Sequence, residues 1–174
     1  MRELILLESV LGDLVAQKVD ALVNPANSLG LMAGGVALAI KNAVGAQIEE
    51  DAVKCAPIAV GSGVVPTSTG LKIPARLVFH VSVMELPGQR TTSKIVDLAV
   101  RSALIEATAL NLSSLAFPAM GAGAGRLELS ESTRSIVFGV KYYLSKHETG
   151  LKKIVFVAFD QEALKHFDHA LGQI

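Results

Sequence analysis

The sequence predicts an α/β sandwich built on a largely parallel sheet. Three observations carry this. Short apolar runs of strand length alternate with helical hydrophobic patterns along the chain. The alternation contains no internal repeat, linker or low-complexity segment. Two glycine-rich loops follow apolar runs and lead toward helices, and ligands of such sheets bind where these loops gather. At 174 residues the chain is expected to be one domain spanning 1–174.

The elements read as follows. Residues 4–7 are all Leu or Ile and form a first strand, and residues 21–23 form a second. Val36, Ala37, Ala39, Ile40, Ala43 and Val44 fall at helical spacing, with Gly45 as the stop. Residues 49–56 continue as a helical segment closed by Pro57. Residues 64–69 contain Pro66, which restricts them to a sheet edge. Residues 76–83 (RLVFHVSV) form a buried strand that places His80 in the core. Thr91, Thr92 and Ser93 are N-cap candidates for a helix over 94–110. Asp97 and Arg101 sit at i, i+4 on its polar side. Residues 115–117 form a strand, 130–146 a helix and 153–159 (KIVFVAF) the clearest strand. Asp160 caps a last helix in which Leu164, Phe167 and Leu171 share a face.

Composition narrows the function. Lys plus Arg equals Asp plus Glu, 16 each, which argues against a nucleic-acid partner. Cys55 is the only cysteine, so no internal disulfide and no cysteine zinc site can form, and it reads as a small buried hydrophobe. His166 and His169 are spaced i, i+3 without a third ligand nearby, so no metal is expected. The run at 4–7 is too short, and too closely flanked by Glu3 and Glu8, for a signal peptide. No apolar run approaches membrane length, so a cytoplasmic protein without membrane contact is expected. High aliphatic content with low charge leaves a homodimer open.

The loop after the second strand carries Asn24, Asn27, Gly30, Gly34 and Gly35. Asparagine offers donors and acceptors suited to sugar hydroxyls. Glycines at a helix start expose N–H groups to an anion. The bland reading is a turn with Asn in local bonds. The second loop reads PAMGAGAGR, with Met120, Gly121, Ala122, Gly123, Ala124 and Gly125 ahead of Arg126. Such a backbone can ring a phosphate, or simply make a tight strand-to-helix connection. It is not a dinucleotide fingerprint, because Arg126 stands where G-x-G-x-x-G needs its last glycine. No Walker A loop occurs. An NAD-dependent Rossmann oxidoreductase is therefore disfavoured. Asp13 after the first strand and Phe159 at the end of the last supply a carboxylate and an aromatic suited to an adenine.

The pieces GDL (12–14), DALVNPAN (20–27), GGVALAI (34–40), AFPAMGAGAG (116–125) and VFVAFD (155–160) resemble the macro domain family in order and spacing over essentially the whole chain. The resemblance implies a three-layer α/β/α sandwich with a mixed, mostly parallel central sheet. It implies binding of ADP-ribose, free or attached to a protein, with no further cofactor. Asp13 then accepts the adenine amine, Leu14 supplies a backbone contact and Phe159 stacks on the base. Asn27 bonds the distal ribose and is the candidate catalytic residue, while Asn24 shapes its loop. Gly34, Gly35 and Val36 line the diphosphate and distal ribose, and Met120 to Gly125 wrap the diphosphate. Three departures matter. Ala33 replaces a frequent third glycine. Ala37 stands where hydrolytic relatives of one branch carry Asp. Gly125 occupies the slot in which many members place an aromatic. Hydrolysis of ADP-ribosyl esters or of ADP-ribose 1″-phosphate and a non-catalytic reader of ADP-ribose both stay open.

Overall fold

The structure is a computed structural model that describes residues 3–173. Six strands form one sheet: β1 (Leu6–Leu11), β2 (Ala21–Asn27), β3 (Val64–Ser68), β4 (Leu77–Met84), β5 (Ser114–Phe117) and β6 (Lys153–Ala158). Five helices accompany them: α1 (Gly35–Val44), α2 (Gln47–Lys54), α3 (Ser93–Ala109), α4 (Leu129–Lys146) and α5 (Gln161–Gly172). The strand order is β1-β6-β5-β2-β4-β3. Every neighbouring pair is parallel except β3 on β4. Pro66 thus lies on an antiparallel edge, where a missing N–H costs least.

The layers follow from strand alternation. Along β2, Ala21 and Val23 join the core under α3, α4 and α5, while Leu22 joins the core under α1 and α2. The first core holds the stacked rings of Phe117, Phe156 and Phe167. The second is aliphatic, with Leu22, Ile40, Ile48 and Val78 fully buried. Local rules set the helix starts. Thr92 Oγ1 accepts from Ile95 N–H at the head of α3, and Asp160 Oδ1 accepts from Ala163 N–H at the head of α5. The Asp97–Arg101 pair forms at 2.8 Å.

Three expectations change. The first strand begins at Leu6, not residue 4, and runs to Leu11, because its register is set residue for residue by β6. The second extends through Asn27, held by β4. Cys55 is exposed, since it is the C-cap residue of α2 at the surface rather than a core position. Among the described residues, no helix is long and apolar enough to cross a membrane.

Topology positions the cleft. β2 and β5 are neighbours. The chain leaves β2 for α1 on one face of the sheet and leaves β5 for α4 on the other. Connections that depart in opposite directions open a crevice at the carboxyl ends of the two strands. Pairing of β2 with β5 covers only Ala21 and Leu22, so β2 runs on to Asn27 without β5 beside it. Pro25 is tolerated inside a central strand for that reason.

Candidate functional site

Two loops wall the crevice. In the first, Asn27 folds its carboxamide back on the loop. Its Oδ1 accepts from the N–H groups of Leu29 and Leu31 at 3.1 and 3.2 Å, and its Nδ2 donates to Leu31 O at 2.9 Å. Of its four hydrogen-bonding positions, one amide hydrogen is left for anything else. Glu49, from α2, braces the same loop from behind. Its Oε2 accepts from Met32 N–H at 2.6 Å and its Oε1 from Lys41 Nζ at 2.8 Å. The hydrogen bonds from Lys41 and then Met32 hold the Glu49 carboxyl below the usual carboxylate range. Glu49→Ala should cost about 1.5–3 kcal/mol of stability, the worth of hydrogen bonds to a charged group. It should also speed hydrogen exchange at Met32, and urea unfolding together with exchange data check both.

The loop ends in Gly34, extended at φ −158°, and Gly35, at φ +56°. The left-handed φ explains glycine at 35. A Cβ at either position would meet open space, so both backbones border the cavity uncovered. Among the described residues, the N–H groups of 34–37 find no acceptor.

In the second loop several carbonyls are engaged by the protein itself. Gly121 O accepts from Leu127 N–H, Gly123 O from Arg126 N–H and Gly125 O from Thr91 N–H, all at 2.9–3.1 Å. Met120 O accepts from Ser132 Oγ at 2.6 Å. The N–H groups of 121–125 find no acceptor among the described residues. Gly121 and Gly125 are sterically required. A Cβ at 121 would lie 2.7 Å from Thr91 Cγ2, and one at 125 would lie 2.7 Å from both Gly121 O and Thr91 Cγ2. A side chain at 125 would therefore run into the loop's own backbone instead of reaching over the cleft. A cavity of about 440 Å³ lies between the loops, bordered by Asn27, residues 33–37, Pro87, Gly88, Gly121, Gly123, Ala124 and Gly125. Among the described residues, no titratable side chain lines it.

A larger cavity of about 890 Å³ adjoins it and shares Gly35 and Val36. Its walls are mostly apolar, with Leu14, Val15, Ile40, Pro118 and Val157 joined by Asp13, Phe159 and Asp160. Asp13 caps a 3-10 turn at Leu14–Ala16, its Oδ1 accepting from Val15 N–H at 3.1 Å. Asp160 is engaged in the same way at α5, which fixes both carboxylates at the rim. Phe159 is 91% exposed beside them. A phenyl ring held in water at a cavity mouth is an informative exception to burial.

The structure thus gathers Asp13, Leu14, Gly34, Gly35, Val36, Asn27, Gly121, Gly123, Ala124, Gly125 and Phe159 around two joined cavities. It does not bring Asn24, Met120 or Ala122 to their lining. Met120 is a core residue. Asn24 is fully buried, its Nδ2 donating to His80 Nδ1 at 3.0 Å. The side chains of Asn24 and Met120 thus lie in the interior, behind the cavity walls. Sequence reasoning missed Glu49, whose partners are Met32 N–H and the Lys41 side chain, and it offered Thr91 only as a helix cap, whereas its N–H meets Gly125 O.

The fold is an α/β sandwich whose cleft opens at the strand switch point, walled by two runs of N–H groups without acceptors among the described residues, the setting in which such sheets take ligands. Comparison with known proteins agrees. Residues 23–136 match the Macro domain family, and the chain belongs to it. An uncharacterised protein of Aeropyrum pernix is 39% identical over 163 residues, 94% of this chain and 84% of that protein. A macro domain-containing protein of Mesorhizobium japonicum is 30% identical over 164 residues, 94% of this chain and 92% of that protein. The solved Trypanosoma brucei macrodomain in complex with ADP-ribose has a TM-score of 0.83 at 25% identity, covering 94% of this chain and 69% of that one. The Oceanobacillus iheyensis macrodomain matches in fold, with a TM-score of 0.83 at 22% identity over 94% of this chain and 88% of that one.

Proposed function

We propose that this protein binds ADP-ribose, free or attached to a protein, in the two joined cavities. The observation that carries this is the pair of unbonded N–H runs at 34–37 and 121–125 bordering one cavity that no carboxylate enters. Backbone N–H groups seek acceptors, and a diphosphate supplies them to both runs at once. The exposed Phe159 and the Asp13 rim suit an adenine in the larger cavity. Asn27 offers its remaining amide hydrogen to the distal ribose. Asn24 shapes β2 from inside and touches no ligand.

A reader without turnover is favoured over a hydrolase, because among the described residues the smaller cavity is lined by no carboxylate or imidazole able to act as general base, and Ala37 lies in its wall. Asn27, with Oδ1 committed to Leu29 and Leu31, is poorly placed to hold a water. Hydrolysis of ADP-ribosyl esters or of the 1″-phosphate would have to borrow the ligand's own diphosphate as the base. Incubating excess protein with a glutamate-linked mono-ADP-ribosylated target separates the two. Release of the modification establishes the hydrolase, and intact target leaves the reader. A cytoplasmic location and recognition of an ADP-ribosylated protein belong to this reading, and a homodimer is compatible with it.

Calorimetry with ADP-ribose, AMP and NAD tests the site itself. ADP-ribose should bind tighter than NAD or AMP. Asp13→Ala and Phe159→Ala should each weaken it by about 1–3 kcal/mol, the range for a charged hydrogen bond or a base–aromatic stack. A preference for NAD, or no heat with any of the three, overturns the assignment.

A further inference from the structure

Thr91 stands behind the second loop, between the cleft-lining Pro87 and Gly88 and the start of α3. It is 7% exposed and does not line either cavity. Three facts concern it. Its N–H donates to Gly125 O at 2.9 Å. Its methyl carbon occupies the space that side chains at both 121 and 125 would need, 2.7 Å from each ideal Cβ. Its hydroxyl is buried and has no hydrogen-bond partner among the described residues. The first two act on opposite ends of one five-residue arc. The N–H engages the last carbonyl of the arc, and the methyl limits how closely residues 121 and 125 approach the rest of the fold. The unpaired hydroxyl is a cost to folding without a visible return.

We infer that Thr91 is a positioning residue for the diphosphate loop, and that it acts through its methyl group and backbone N–H rather than its hydroxyl. This rests on the assignment of a diphosphate ligand to that loop. The geometry makes Gly121, Gly125 and Thr91 one unit: the two glycines leave room and the methyl fills it. Without the methyl, residues 121–125 are free to settle into the void, and their N–H groups no longer converge. Nothing in the larger cavity depends on Thr91, so recognition of a nucleoside lacking phosphates is untouched.

The test compares Thr91→Ser, which keeps the hydroxyl and loses the methyl, with Thr91→Val, which keeps the methyl and loses the hydroxyl. ADP and adenosine are titrated against each by calorimetry or NMR. Thr91→Ser should bind ADP roughly fivefold more weakly, the equivalent of a methyl-sized void, with adenosine affinity unchanged. Its amides at 121–125 should exchange faster while those of β5 do not. Thr91→Val should bind both ligands as wild type does. The inference is overturned if Thr91→Val loses ADP affinity, if Thr91→Ser does not, or if ADP and adenosine weaken in parallel. Wild-type protein that fails to prefer ADP over adenosine removes the diphosphate assignment, and this inference falls with it. Wild-type preference with an unaltered Thr91→Ser removes this inference alone.

Discussion

Gly125→Ala should abolish most of the ADP-ribose affinity while leaving a folded protein. The added Cβ would lie 2.7 Å from Gly121 O and 2.7 Å from Thr91 Cγ2. The first neighbour is backbone of the same loop, and the second is a short β-branched side chain in a buried setting. Neither yields by rotating the end of a flexible chain. The loop must therefore shift, at a cost of about 1–3 kcal/mol typical of overpacking. The same shift breaks the Thr91 N–H to Gly125 O bond and scatters the N–H groups at 121–125. Loss of half of the proposed diphosphate contacts predicts at least a tenfold weaker ligand, or about 1.4 kcal/mol and more. Gly172→Ala is the control, because a Cβ there meets open space and the residue lines neither cavity. Unfolding in urea and calorimetry with ADP-ribose measure the two effects. Equal affinity in Gly125→Ala and Gly172→Ala would show that the shape of this loop does not govern binding.

That contrast separates what the sequence reveals from what it hides. The alternation of strands and helices is legible because periodicity reports which face is buried, and Asp160, Thr92 and Pro66 behave as local rules require. The cleft is legible too, since strand-to-helix loops dense in glycine mark the carboxyl ends of a parallel sheet. The differing duties of those glycines are not. Gly34, Gly35 and Gly123 face open space, whereas Gly121 and Gly125 make room for Thr91, some thirty residues earlier in the chain. The same holds for Asn27. Its two acceptor bonds to Leu29 and Leu31 are the turn chemistry of any Asn, which sequence pattern alone does not distinguish from a ligand contact. Glu49 was beyond reach because its partners, Met32 N–H and Lys41, converge only once α1 and α2 have packed together. Cys55 misleads for the opposite reason: composition treats it as a hydrophobe, and its place at a helix end exposes it.

The protein should lose about 3 kcal/mol of stability between pH 6.5 and pH 4, with His80 as the cause. His80 lies at the centre of β4, fully buried, and burial lowers its pKa to about 4 although the Asp51 carboxylate pulls the other way. Its hydrogen bonds point in the same direction. Asn24 Nδ2 donates to Nδ1 at 3.0 Å, so the ring proton sits on Nε2 and is donated to Thr67 Oγ1 at 2.8 Å. A second proton on Nδ1 would face an amide donor. To accommodate it the Asn24 amide must turn over and present Oδ1, which is buried without a partner in the neutral state. The unfolded chain takes up the proton near pH 6.5, while the folded one resists it until about pH 4. Between those values the unfolded state binds more protons, so stability falls as pH falls. The carboxyls of Asp20 and Glu49 act in a later window. Burial raises the Asp20 pKa, but hydrogen bonds from Ser113 and Ser114 together with Arg76 bring it below the usual value, and Glu49 is held low by Lys41 and Met32. Both contribute above the ordinary carboxylate range and are lost only as pH falls through their folded values. Urea unfolding of wild type and His80→Gln at pH 7.5 and pH 4.5 checks the assignment. The wild type should lose most of the stated amount across this interval, and His80→Gln should show little pH dependence. A variant that falls as steeply as wild type would place the proton uptake elsewhere.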